Sequence, residues 1–317
     1  MFPADAQPGT TTAATGLRPK TRGGLSDRSI QLLFVLPTLI LLLAMNVVPL
    51  VMSLYYSFTK FSDIAGKAPV WVGTLNYQQI LASPEFWSYY ATTGKYALLS
   101  VALQTIVGFS LALLLKAKFK ASGLITTLIL VPMMLSPVVV GQFWKLIFNP
   151  TMGIFNQLIG YWSTNVTTSP QWLTSPTLAL WAIVIVDVWM WSPFVMLLCL
   201  SGLKAIPDYL YEAAIVDRAS AWRQFWRITL PQVAPLLLVA VLFRTIEAFK
   251  AFDLIQGLTS GGPGTATETI AVKLYRLAFL GTHDTGKASA MAYIVLIIII
   301  GISNVYIRTL NRVKGDA

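Results

Sequence analysis

A chain of 317 residues that is 56% hydrophobic and only 11% charged cannot cover a water-facing surface, since soluble domains need roughly a quarter of their residues charged. Its net charge of +10 is dispersed in small clusters between long apolar runs, not gathered into a basic stripe with interleaved aromatics, and this excludes a nucleic-acid surface. The lone Cys199 and lone His283 leave no disulfide framework, metal-ligand spacing or catalytic pair, so the lipid bilayer is the expected solvent and Cys199 a small packing residue.

Residues 1–29 are rich in Thr, Gly, Pro and basic side chains and hold no apolar core of a signal peptide, which predicts a disordered cytoplasmic tail. From Ile30 to about Tyr56 the chain carries no charge. At about 1.5 Å per residue this run exceeds a hydrocarbon core of roughly 30 Å and is too long for a cleaved leader. Comparable runs follow at Tyr96 to Leu115, Leu124 to about Phe148, Thr177 to Leu200 and Ala288 to Ile307. Pro132 and Pro137 in the third span and Pro193 in the fourth each remove a backbone donor, which suits kinks beside an internal cavity or prolines that a membrane helix simply tolerates.

Between Leu200 and Pro231 the sequence reads SGLKAIPDYLYEAAIVDRASAWRQFWRITLP, neither a span nor a polar linker. Pro207 with Asp208 suits a first helical turn, and Ser220 suits the N-cap of a second helix. Leu210, Ala213 and Ala214 give the first an apolar face; Trp222, Phe225 and Trp226 do so for the second. Periodicity alone leaves two readings open, a hairpin lying in the headgroup layer or a docking surface whose movement is passed to the flanking spans.

The next segment, Val233 to about Leu254, begins apolar and then acquires Arg244, Glu247, Lys250 and Asp253. Charge asymmetry identifies it as a span. With it included, Arg18, Lys20, Arg22, Arg28, Lys116, Lys118, Lys120, Lys204, Arg218, Arg223, Arg227, Arg308, Arg312 and Lys314 fall on one side. Lys60, Lys67, Lys95, Lys273, Arg276 and Lys287 fall on the other, so both termini and the loop at 201–232 are expected in the cytoplasm. The predicted fold is an all-α membrane protein of about six transmembrane helices over residues 30–310 with a short C-terminal tail, 311–317.

After the fifth span, Gly261, Gly262, Pro263 and Gly264 read as a tight outer turn, with Thr265 and Glu268 at capping-box spacing for the next helix. No phosphate loop is present. The Gly-Lys pairs at Gly66, Gly94 and Gly286 precede Ala, Tyr and Ala instead of Ser or Thr, so ATP hydrolysis would require another chain.

Asp187 and Arg244 each lie roughly 15 to 18 Å deep and share the bilayer midplane. A charge there costs on the order of 2.5 to 3.5 kcal/mol on a lone inserted helix, so both are expected to face protein or water. Arg244, Glu247, Lys250 and Asp253 alternate in sign at three-residue steps, which suits either an internal ion-pair network or solute binding. Trp189 and Trp191, within a turn of Asp187, are candidate plates for the apolar face of a sugar ring. The competing reading is an ion-coupled secondary transporter with Asp187 and Glu247 as coupling acids, although no repeated halves are visible. No residue cluster supports a catalytic or metal site.

Glu212, Ala213, Ala214, then Asp217 and Arg218, Phe225, Ile228, Thr229, Leu230 and Pro231 resemble the EAA loop of permease subunits of binding-protein-dependent ABC importers. The opening span, the phrase VGTLNY and LTSGGPGTATETI are similar to the carbohydrate branch of that family, the maltose and glycerol-phosphate type permeases. The resemblance implies a type I importer permease fold and a non-catalytic subunit of a bacterial inner membrane, in which Glu212 to Pro231 contact the ATPase. It further implies as partners a second permease, two ATPase subunits that bind the ATP and Mg, and an extracytoplasmic solute-binding protein. The family favours Gly where this chain has Arg218, and an arginine disfavours the left-handed turn that a glycine would permit.

Overall fold

A computed structural model describes residues 26–315 except 65, 67, 118 and 163–169. The predicted tail up to residue 25, together with Lys67 and Lys118 of the charge count, lies outside these residues. The chain divides into two compact units, Met1–Met52 and Ser53–Ala317. Helix α1, Asp27–Ser57, starts in the first unit, and its apolar side chains from residue 31 to 52 are exposed throughout, as a surface facing lipid or another chain requires.

In the second unit a two-residue hairpin, β1 (Thr59–Lys60) and β2 (Val70–Trp71), precedes α2 (Leu75–Ala82) and the long α3 (Pro84–Lys116). There follow α4 (Ser122–Leu130), a 3-10 turn at Val131–Met134, α5 (Pro137–Ile147), α6 (Ile154–Trp162) and α7 (Pro176–Ala205). Helix α8 (Asp208–Val216) leads to α9 (Ala221–Gln224), one π turn at Phe225–Thr229 and α10 (Leu230–Lys250). The chain closes with α11 (Asp253–Leu258), α12 (Ile270–Phe279) and α13 (Thr285–Gly315).

Among the described residues, five helical runs are long and apolar enough to cross a membrane, and a bent pair supplies a sixth if it counts as one span. Of the apolar window in α7, 61% is buried, against 17% in α13, so α7 is the central post and α13 a peripheral one. Ala182, Ile183, Val186 and Met190 of α7 pack with Tyr96 and Val101 of α3 and with Ala248, Leu254, Ile255 and Leu258 further along. A second cluster joins Ala112, Val195, Met196, Leu203, Val233 and Ala240, and Cys199 is wholly buried there as a packing residue. The α3 and α7 backbones approach closely at Gly108, where a Cβ would stand 2.6 Å from the Ser192 carbonyl oxygen and 2.7 Å from the Val195 Cβ.

Three sequence expectations are corrected. The third span is not one helix: Ser122–Met134 and Pro137–Ile147 meet at 98°. Pro137 opens α5 without an amide donor, and Ser136 before it is held extended at φ −66°, ψ 129°, so the helical ladder cannot pass this point. The displaced α5 packs against α11 through Gly141 and Gly257, where a Cβ on either would meet opposing backbone at about 3.0 Å. The fifth span ends at Lys250 instead of Leu254, and Asp253 opens α11. The predicted capping box is absent: Thr269 is the N-cap of α12, and Glu268 binds Arg276 Nη1 at 3.0 Å instead. The outer turn itself is present, with Ser260, Gly261 and Gly264 all at positive φ.

Candidate functional site

Asp187 on α7 and Arg244 on α10 are 3% and 4% exposed, and they meet across the bundle with Arg244 Nη2 3.5 Å from Asp187 Oδ1. Gln104 of α3, fully buried, joins the two. Its Nε2 donates to Asp187 Oδ2 at 2.7 Å and to the Asp187 carbonyl at 3.2 Å, and its Oε1 accepts from Arg244 Nε at 2.8 Å. The Arg244 guanidinium also lies 4.6 Å over the Trp191 ring. Charge pairing, a bridging amide and a cation–π contact thus offset the desolvation of two ions that three helices bury together.

Asp187, Trp191, Arg244, Glu247 and Lys250 line one cavity of about 130 Å³ with Tyr96, Pro137 and the segment Ala251–Leu254. Trp189 does not. It is 42% exposed, stacks edge-on to Trp144 at 5.5 Å, and borders a separate apolar groove beside Pro132 and Pro193. Helical geometry explains the split: Trp191 is one turn from Asp187 and shares its face, whereas Trp189, two residues on, points away.

The expected four-charge network is reduced to one neighbouring pair, Lys250 to Glu247 at 2.7 Å, with both side chains more than half exposed. Arg244 turns from Glu247 to Asp187, whose buried carboxylate has no other cation among the described residues. Two residues that sequence reasoning passed over complete the site. Gln104 is visible as a lone amide within the apolar run SVALQTIVGF. Tyr96, 1% exposed, lines the cavity with its buried hydroxyl beside Asp187.

The loop between α7 and α10 is a second candidate surface. Arg218 stands at φ 54° after all. Its amide donates to the Ile215 carbonyl at 2.9 Å and the Ala219 amide to the Ala214 carbonyl at 2.8 Å, the two bonds of a Schellman cap on α8. Those bonds offset the roughly 1–2 kcal/mol that a non-glycine residue loses in a left-handed conformation. Ser220 caps α9 by accepting from the Arg223 amide at 3.4 Å, and the chain then runs helical without a break from Ala221 to Lys250. The second loop helix is therefore the lower end of the fifth span, not a separate element.

The loop is anchored from within. Tyr211 and Thr229 hydroxyls bond at 3.0 Å, Lys116 of α3 sits 3.9 Å over the Tyr211 ring, and Phe225 meets Phe109 at 6.0 Å. Leu210 and Ile228 pack on the second core cluster, and Leu230 is half-buried near it in sequence. Outside, Glu212, Ala213, Asp217, Arg218 and Pro231 are exposed, with Ala214 half-buried. Around them Ile215, Val216 and Trp222 stand 65%, 82% and 71% exposed.

Residues 104–313 match the family of binding-protein-dependent transport system inner membrane components. The chain belongs to that family. It is a multi-pass inner membrane permease, and the ion-coupled alternative finds no support. The permease is 36% identical over 92% of its length and 96% of the relative to the trehalose/maltose transport system permease protein MalF of Thermococcus litoralis. It is 30% identical to the trehalose transport system permease protein SugA of Mycobacterium tuberculosis, with 93% of each chain covered. The sulfoquinovosyl glycerol transport system permease protein SmoG of Agrobacterium fabrum is 33% identical over 90% of this chain and 92% of its own. A bacterial ABC transporter that imports alginate gives a TM-score of 0.77 at 22% identity, covering 89% and 95% of the two chains, which shows the fold.

Proposed function

We propose that this permease forms half of the translocation path for a sugar or sugar-like solute and draws its energy from a separate ATPase docked on the loop at 201–232. The observation that carries the coupling role is the exposed Ile215, Val216 and Trp222 beside Glu212, on a loop fixed from behind by Tyr211, Phe225 and Ile228. An apolar patch in water asks for a partner, and a loop this firmly tied to α3 and α10 can pass that partner's movement into the spans. The loop and both termini then face the cytoplasm, consistent with their excess of Lys and Arg.

The full assembly on this reading holds a second permease, two ATPase subunits that bind ATP and Mg, and an extracytoplasmic solute-binding protein. The permease itself catalyses nothing. The relatives named for trehalose, maltose and sulfoquinovosyl glycerol support a saccharide cargo. The solute path runs by the cavity of Asp187, Trp191, Arg244, Glu247 and Lys250. Glu212→Ala should abolish uptake in cells while membrane insertion persists and ATP hydrolysis no longer responds to loaded binding protein. Undiminished uptake would overturn the docking role.

A further inference from the structure

We infer that the central cavity is built for a neutral polyhydroxylated solute and turns anionic ones away, with Asp253 as the residue that sets this charge selection. The inference rests on the importer reading above and divides the saccharides named for the relatives, since a trehalose or maltose is neutral and a sulfoquinovosyl glycerol carries a sulfonate.

The two cations that line the cavity are both engaged. Arg244 gives Nε to Gln104 and Nη2 to Asp187, and its face is covered by Trp191. Lys250 Nζ lies 2.7 Å from Glu247 Oε1, one turn away on the same helix. An anion drawn to either cation also meets the carboxylate which that cation already pairs with, and this repulsion reduces the gain. Asp253 lines the same wall, is exposed, and has no ion pair among the described residues. The lining therefore carries one carboxylate in excess. The rest of the lining, Tyr96, Pro137, Trp191, Ala251, Phe252 and Leu254, is uncharged, and Phe252 supplies ring surface for a sugar.

The test reads the potential inside the cavity without needing the solute. Ala251, small, half-buried and on the cavity wall, is replaced by Cys; the native Cys199 is fully buried and serves as a silent background. The purified importer complex is treated at low ionic strength with the cationic 2-aminoethyl and the anionic 2-sulfonatoethyl methanethiosulfonate. The ratio of the two rates is divided by that for a free thiol. One unbalanced carboxylate about 8 Å from the thiol, at an effective dielectric of about 40, favours the cation on the order of thirtyfold.

The expected result is a normalised preference for the cation that falls towards unity with Asp253→Asn and with about 0.5 M salt. Phe252→Cys, a second reporter on the same wall, covers the case in which Ala251→Cys does not assemble. A normalised preference for the anion, or one for the cation that survives Asp253→Asn, overturns the proposal. Because reagent rates need no transport, failure here is separate from failure of coupling, which Glu212→Ala reports.

Discussion

Replacing Arg244 with Ala leaves the Asp187 carboxylate, 3% exposed, with only uncharged partners such as Gln104 and no counter-ion among the described residues. Removing one partner of a buried ion pair typically destabilises by about 3–5 kcal/mol, most of it from the charge left behind. At about 1.4 kcal/mol per tenfold change, this is roughly two to three and a half decades in the folded-to-unfolded ratio. The assay is denaturation of the purified protein in mixed micelles by graded SDS, followed by helix signal and by transport in cells. Asp187→Asn added to Arg244→Ala removes the orphaned charge and should recover a large share of the loss, giving a favourable coupling of at least about 1 kcal/mol in a double-mutant cycle. Arg312→Ala, at an exposed site on α13, should stay within about 0.5 kcal/mol. A double variant no better than Arg244→Ala alone, or an Arg312→Ala of equal effect, would refute the three-helix clasp.

Gly108→Ala should weaken the α3–α7 contact by about 1–3 kcal/mol, because the new methyl meets the Ser192 carbonyl and Val195. Gly94→Ala, with nothing within 4 Å on the same helix, should be neutral or stabilising by about 0.5–1 kcal/mol, and thermal unfolding of both variants checks the contrast. Arg218→Gly should leave stability within about 1 kcal/mol of the parent, whereas Arg218→Val, branched at a left-handed position, should lose about 1–2 kcal/mol and weaken ATPase binding in a pull-down. Equal behaviour of the two would remove the Schellman cap from the account of the loop.

Most span positions and the burial of Asp187 and Arg244 were legible because hydropathy and charge placement are one-dimensional properties. Their partners were not. Whether Arg244 turns to Glu247 three residues on or to Asp187 on another helix depends on how α7 and α10 face each other, and that is set by packing at sites such as Gly108. Gln104 carries no charge to mark it, though a primary amide in an apolar run must find partners and could have been flagged for that reason. Pro132 and Pro137 announced a disturbed third span, but a 98° break needs α11 in place to receive α5. At Arg218 a propensity argument failed because two backbone hydrogen bonds outweighed an unfavourable dihedral.

The unbroken helix from Ala221 to Lys250, 30 residues or about 45 Å long, has a mechanical consequence. Its lower end carries the exposed Trp222 and its upper end carries Glu247 and Lys250. A tilt of about 5° at the bottom swings the top by about 4 Å, more than the width of a water molecule. The π turn, with its wider and looser ladder, sits a few residues above Trp222, within the proposed docking surface. Under the proposed docking, the arrangement is that of a lever with a compliant joint beside the handle, able to absorb a small twist there while delivering the stroke to the far end.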